Sequence, residues 1–252
     1  MGLTDTHSHI DMINLNPEEI LKEAREYGLE KIIVPSADRS SFEKVIELSN
    51  KFDEVYCALG IHPTEVLKSD FDADLELIKK LSENKKVVAI GEIGLDYYWD
   101  KSFVDEQKKF FAKQVEIAQE LNLPVLIHDR EAHFDCFEIL KDVQDIPVVM
   151  HCFSGSMEFA KQCMDKGFYI AFGGVLTFKN SKKMKEVAKN IPLENVLIET
   201  DAPYLTPEPY RGRENHPAYV KFVAQCLANL RKIPYEQIVE VTTENAKRIF
   251  KF

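Results

Sequence analysis

No apolar run in this chain approaches the length of a membrane-crossing helix, so no transmembrane span is expected. Cysteine is sparse and badly placed for bridging. There are five, at positions 57, 136, 152, 163 and 226, odd in number and without C-x-x-C spacing. That argues against a disulfide framework and against a structural zinc knot, and points to reduced thiols in a cytoplasmic setting. Gly-x-Gly-x-x-Gly and Walker sequences are missing, which removes the two commonest phosphate-cradling turns. An excess of basic charge is missing as well. Lys and Arg number 32 against 42 Asp and Glu, a net charge of −10. This disfavours a protein that coats nucleic acid with a broad basic surface, but leaves room for an enzyme that grips one phosphodiester locally. Low-complexity segments, short repeats and Gly/Ser linkers are also lacking, so residues 1–252 read as a single domain.

What is present is an alternation. Apolar, β-branched runs occur at Gly2–His7, Lys31–Pro35, Val55–Ile61, Val87–Ile93, Pro124–His128, Pro147–Cys152, Phe168–Gly173 and Asn195–Thr200. Several are apolar at consecutive residues, as parallel strands buried on both faces require. Helix-period segments lie between them. One spans Pro17–Tyr27, with Asn16 as cap and Gly28 as stop; another, Ser156–Lys166, stops at Gly167. Phe103–Leu121 aligns Phe111, Val115, Ala118 and Leu121 on one face. The remaining helical segments are Ser36–Phe52, Asp72–Ser82, Arg130–Val143, Lys179–Asn190 and His216–Lys232, with a last one at Tyr235–Phe250. Eight strands each followed by a helix predict an α/β fold, a (β/α)8 TIM barrel. The alternative, an open doubly wound sheet, would need fewer strands and usually a Gly-rich turn.

The polar residues then fall into order. His7 and His9, one residue apart, point to one side of the first strand, with Asp5 beside them. His62 follows the third strand, Glu92 sits late in the fourth, His128 ends the fifth, His151 the sixth and Asp201 the eighth. In a barrel these carboxyl ends converge on one face, where active-site loops lie. Cys152, next to His151, is expected to face away as a small packing residue.

Histidine and carboxylate ligands without thiolate suit Mg²⁺, Mn²⁺ or Zn²⁺. Six candidate ligands favour two ions over one, with Glu92 as the bridge: His7, His9 and Asp201 on one side, His128 and His151 on the other. Two ions about 3.5–4 Å apart can clamp the attacking and leaving oxygens of a displacement, so hydrolysis is the expected reaction. Asp201 has a second candidate role, taking the proton of the attacking water. Glu199, two residues earlier, is open between a third-ion ligand, a partner of a ligand and an ordinary hydrogen bond.

Substrate contacts are expected from His62, Arg130, Arg211 and Arg213, since arginine forks match phosphate oxygens. Surface salt bridging is the competing role for any one of the arginines. Tyr97, Tyr98 and Trp99 either stack a base or cover the barrel mouth. His133 and His216 are read as structural.

The segments Asp5-Thr6-His7-Ser8-His9, Gly60-Ile61-His62-Pro63, Gly91-Glu92-Ile93-Gly94-Leu95-Asp96, Ile127-His128-Asp129-Arg130, His151-Cys152-Phe153-Ser154-Gly155 and Glu199-Thr200-Asp201-Ala202-Pro203 resemble TatD-type metal-dependent deoxyribonucleases, within the amidohydrolase-like barrels. The matches keep the family's order across nearly the whole chain. The resemblance implies a cytoplasmic nuclease acting on DNA, commonly 3′→5′ on single strands. It implies His7, His9, Glu92, His128, His151 and Asp201 as metal residues, and places His62 and Arg130 near the scissile phosphate. Residues Arg211 to Asn215 resemble the family's loop after the eighth strand. Glutamate at 92, where phosphotriesterase-like and dihydroorotase-like relatives carry a carbamylated lysine, separates the chain from those. A hydrolase of small amides, esters or lactones is the rival enzyme reading. A non-catalytic metal-binding protein would be expected to carry a broken ligand set. No membrane and no obligate protein partner are inferred.

Overall fold

The computed structural model describes residues 2–252. Its strands are β1 (Leu3–Asp5), β2 (Leu29–Pro35), β3 (Val55–Leu59), β4 (Val87–Asp96), β5 (Val125–Arg130), β6 (Val148–Met150), β7 (Tyr169–Phe172) and β8 (Val196–Ile198). All pair in parallel, in sequence order. Parallel neighbours cannot be joined by a hairpin, and helices supply the crossovers. These are α1 (Pro17–Glu26), α2 (Phe42–Lys51), α3 (Phe71–Leu81), α4 (Val104–Leu121), α5 (His133–Leu140), α6 (Met157–Asp165), α7 (Lys182–Asn190) and α8 (Val220–Arg231), with α9 (Tyr235–Phe250) last. The seam between β8 and β1 is laced by Thr6 N donating to Ile198 O at 3.2 Å and Asp201 N donating to His7 O at 2.9 Å. The architecture is a (β/α)8 barrel.

Alternate strand residues do two jobs. Ile32, Val34, Cys57 and Leu59 pack outward in the layer shared with the helices. Ile33, Ala58, Ala89, Leu126, Val149, Ala171 and Leu197 form a separate cluster inside the barrel, where alanines make room for larger neighbours. Ala246, Ile249 and Phe250 of α9 complete that cluster. Helix punctuation follows the sequence signals. Asn16 accepts from Glu18 N at 3.0 Å, and Ser156 accepts from Phe159 N at 3.2 Å. Gly28 and Gly167 adopt φ of 93° and 75° just past α1 and α6.

Several boundaries differ from the sequence pattern, and three show the cause. The first strand stops at Asp5, not His7, because the backbone then divides its bonds between neighbours: Ser8 N donates to Ile33 O, and His9 N to Ala202 O. Helix α2 begins at Phe42 because Asp38 caps a tight 3-10 turn, Arg39–Ser41, accepting from Ser41 N at 3.0 Å. Helix α5 is shorter than expected because β5 continues to Arg130, paired with Asp96. Among the described residues no helix is long and apolar enough to cross a membrane. The five cysteines are free.

Candidate metal centre

Strand β4 carries an irregularity that aims its carboxylate. Ile90 lies opposite Val125 and Ile93 opposite Ile127, so β4 takes three steps where β5 takes two. Such a bulge redirects a side chain. The two glycines flanking this segment are steric necessities. A Cβ on Gly91 would stand 2.6 Å from Leu126 Cβ; Gly94, at φ 144°, would drive one to 1.9 Å from His128 O.

Glu92, thus placed, divides its two oxygens between two groups of donors. Oε2 lies 3.3 Å from His7 Nε2 and 3.5 Å from His9 Nε2. Oε1 lies 2.8 Å from His128 Nδ1, 3.0 Å from His151 Nε2 and 3.6 Å from His62 Nε2. The two imidazoles from the start of the chain meet Nε2 to Nε2 at 3.2 Å, and Asp201 Oδ1 is 3.9 and 3.8 Å from them. Both rings turn Nε2 inward and leave a buried Nδ1 unpartnered among the described residues. An ion bonded tetrahedrally at about 2.1 Å sees its donors roughly 3.4 Å apart. The His7, His9, Glu92 and Asp201 atoms bracket that spacing, so this donor set fits a divalent cation.

Behind the cluster stand carboxylates that aim the rings. Asp96 Oδ2 is 2.9 Å from His128 Nε2, and Glu199 Oε1 is 3.2 Å from His151 Nδ1. A carboxylate on the far nitrogen fixes a ligand's tautomer and raises its basicity. Glu199 is thus a hydrogen-bond partner of His151. It also accepts from Cys152 N at 2.6 Å. Cys152 itself lies past β6 at φ 41°, and burial pushes its thiol well up, so it stays protonated.

The sequence reading passed over Asp96 as a functional residue, and missed two buried amides on α4. Gln114 accepts from Ile61 N at 2.7 Å and donates to Ile61 O at 3.2 Å. Gln107 does the same for Asp96, at 2.9 and 3.1 Å. Each clamps the backbone beside a residue of the cluster, His62 in one case and Asp96 in the other. Two glutamines seven apart on a face otherwise carrying Phe111 and Val115 were the available signal.

Protonation follows from burial and neighbours. Burial alone would raise Glu92, but the histidines around it, His151 and His7 foremost, hold it well below the carboxylate range. Burial, with His151 stacked at 3.8 Å, lowers His7 to about 4. Burial and His128 lower His62 to about 3. Burial works against charge on His128 too, but hydrogen bonds to Asp96 and Glu92 prevail and lift it to about 9. His151 is likewise raised well above the ordinary range, with Glu92 and Glu199 outweighing burial. Burial raises Asp201 to about 6.

Before an ion binds, His128 is therefore cationic at pH 7, and the carboxylates beside His151 favour its charged form. Metal ligands must be neutral imidazoles, so ion uptake is expected to release protons, and affinity to rise with pH between 6 and 8. Calorimetric titration with Mn²⁺ in two weakly coordinating buffers of different ionisation enthalpy, PIPES and HEPES, reads this directly, as a binding enthalpy that differs with the buffer. Identical enthalpies would mean that neither histidine gives up a proton to the ion.

The arginines occupy the same rim. Arg130, exposed, lies with its guanidinium carbon 3.9 Å from the Tyr98 ring centroid; Arg211 lies 3.6 Å from Phe178 and Arg213 5.7 Å from Tyr210. His133 is paired with Asp129 at 2.7 Å, and His216 accepts from Ala218 N at 3.1 Å; both are structural.

Comparison with known proteins assigns the chain to a family. Residues 4–251 match the family model of TatD-related DNases. The chain is 46% identical to the uncharacterized metal-dependent hydrolase YabD of Bacillus subtilis, over 99% of both chains. It is 35% identical to the uncharacterized metal-dependent hydrolase YcfH of Escherichia coli K12, over 99% of this chain and 96% of that one. The crystal structure of YjjV, a TatD homologue from E. coli K12, superposes with a TM-score of 0.94 at 33% identity, covering 99% of this chain and 98% of its own. The chain belongs to the TatD-related DNase family and is a metal-dependent hydrolase.

Proposed function

We propose that this protein is a divalent-metal-dependent deoxyribonuclease that shortens DNA from an end, in the 3′→5′ direction, through a pair of ions. One observation carries the two-ion part. The two oxygens of Glu92 face two different sets of donors, as a bridging carboxylate's must. His7, His9 and Asp201 would hold one ion, His128 and His151 the other, with Glu92 shared. Ions so held would supply Lewis acidity, lowering the pKa of a water and neutralising charge on the phosphate oxygens.

The chain's own residues supply the rest. Asp201, raised to about 6 by burial, is ionised at neutral pH yet basic enough to accept the proton of an attacking water. His62, neutral at pH 7, accepts from Thr64 N through Nδ1, which leaves its Nε2–H beside Glu92 Oε1 and able to donate to a phosphate oxygen. Arg130, exposed and with its guanidinium carbon 3.9 Å from the Tyr98 ring centroid, supplies a fork that matches phosphate oxygens. Arg211 and Arg213 extend the cationic rim on the loop after β8. This local arrangement answers the net charge of −10, because the field at a site outweighs the total. The family's DNase name supports DNA as the substrate, and five free cysteines support a reducing, cytoplasmic setting.

The test uses purified protein stripped with EDTA and supplied with Mg²⁺ or Mn²⁺. An end-labelled single-stranded oligonucleotide is followed on a gel, with Asp201→Asn alongside to reveal contaminating nuclease. Stepwise loss from the 3′ end by the wild type alone is the expected result. No shortening with metal demonstrably bound would reject the nuclease and turn attention to small esters and lactones.

A further inference from the structure

The large apolar side chains that the fold leaves exposed are concentrated at one end of the barrel. They sit on the segments that follow β1, β3, β4, β5 and β8, with Phe134 in the first turn of α5, around the mouth that holds the Glu92 cluster. Within this set Tyr98 and Trp99 touch each other, with ring centroids 4.9 Å apart. Trp99, 68% exposed, and Tyr98, 51% exposed, form the part most closely tied to the chemistry.

The tie is Asp96. Its Oδ1 accepts from Tyr98 N at 2.9 Å and Trp99 N at 3.3 Å, while its Oδ2 meets His128 Nε2 at 2.9 Å. One carboxylate therefore fixes both the aromatic loop and a histidine of the cluster. The neighbouring Tyr97 is not part of the surface: its hydroxyl donates to Asp135 at 2.7 Å and its backbone N to Arg130 O at 2.9 Å, which pins the base of the loop. Above it, Tyr98 and Trp99 meet edge to face at 4.9 Å, and the Arg130 guanidinium lies 3.9 Å from the first ring and 5.4 Å from the second. The result is an exposed indole, propped from its side by the nearly perpendicular Tyr98 ring, with a phosphate-seeking fork beside it.

Resting on the nuclease reading, we propose that Trp99, propped by Tyr98, is the surface on which the nucleobase adjoining the scissile phosphodiester stacks. This contact makes the enzyme select unpaired ends. A base can lie on the indole only after leaving its own stack and pair, so a duplex end must first open whereas a single strand need not. Stacking uses the face that every base shares, so the selection concerns strandedness and not sequence. Trp99 acts here as a specificity residue, with no part in the proton transfer.

The chain has one tryptophan, so its fluorescence reports this surface alone. Two measurements with the metal-loaded enzyme test the proposal. In the first, octathymidylate with cleavage-resistant phosphorothioate linkages is titrated in, beside a phosphorothioate strand of abasic residues. The thymidylate is expected to quench Trp99 and the abasic strand to leave it bright. In the second, Trp99→Ala and Trp99→Phe are assayed on single strands whose terminal residue is either a normal nucleotide or an abasic one. Trp99→Ala should raise KM on the normal end on the order of 10-fold with kcat nearly unchanged, and Trp99→Phe should recover most of it. On the abasic end wild type and Trp99→Ala should be alike. Equal loss on both ends, or no loss, overturns the stacking role while leaving the nuclease intact. Quenching without any cleavage would keep the stacking surface and reject the nuclease; the absence of both would reject the two together.

Discussion

Replacing Glu92 with glutamine is expected to lower turnover by roughly 10³-fold or more, since loss of a metal's charge stabilisation is worth several kcal/mol and each 1.36 kcal/mol is a factor of ten. The substitution keeps the shape and removes the charge. It also replaces one of two equivalent oxygens by an NH2 group, which must face either His7 and His9 or His128 and His151. Whichever pair meets the amide loses its acceptor, and a lone pair for an ion goes with it. Metal content measured by plasma mass spectrometry on the same sample should fall together with kcat. A circular-dichroism melt near that of the wild type would show that the barrel survives. Undiminished kcat with full occupancy would show that Glu92 is no bridge.

Much of this site was legible because strand ends are where a parallel barrel must put its chemistry. The spacing of His7 and His9, of Glu92 within its glycines, and of His128, His151 and Asp201 at the ends of apolar runs needed only that rule. The same holds for Phe111, Val115 and Ala118, which α4 buries as their spacing requires. Hydrophobic period reports burial, however, and says nothing of which polar group a buried polar side chain will meet. Gln107 and Gln114 looked like interruptions of an apolar face. Their partners at Asp96 and Ile61 lie 11 and 53 positions away, and only the closing of β3 and β4 over α4 brings them together. Asp96 was hidden for a related reason. The strand was expected to end at Ile93, and its extension depends on pairing with Asp129 and Arg130 across β5. The loops that follow the strands were the hardest to bound, since the tight 3-10 turns capped by Asp38 and His216 borrow residues from the helices behind them.

Asp5 shows the same limit most plainly, and it carries the largest stability effect. Its place two residues before His7 suggested a side chain alongside the metal pair. Instead it faces the seam, where its carboxylate accepts from Thr200 N at 2.9 Å, Thr200 Oγ1 at 2.5 Å and His7 N at 3.3 Å. The two bonds from Thr200 cross from the last strand to the first and help to close the barrel, while the one from His7 N is local. Asp5→Leu would leave three buried donors without an acceptor. At about 1–3 kcal/mol each, discounted for overlap, the loss is roughly 3–6 kcal/mol. For a chain of this size about 2–4 °C follows each kcal/mol, so the melting temperature is expected to drop by roughly 10–20 °C. Asp5→Asn should cost far less. Burial lifts the Asp5 carboxyl well above the ordinary range, so the seam disfavours a charge there, and the amide oxygen can still accept from Thr200 N. The Thr200 hydroxyl can turn to accept from the new NH2 group. Calorimetric melts of both variants separate the two effects. A leucine variant within a few degrees of wild type would mean that the backbone bonds from Thr6 and Asp201 close the barrel unaided. An asparagine variant as weak as leucine would instead mean that the seam depends on a full carboxylate. Because Asp201 N and His7 O are themselves partners across this seam, loosening it should also weaken metal binding, which ties the closure of the fold to the site it frames.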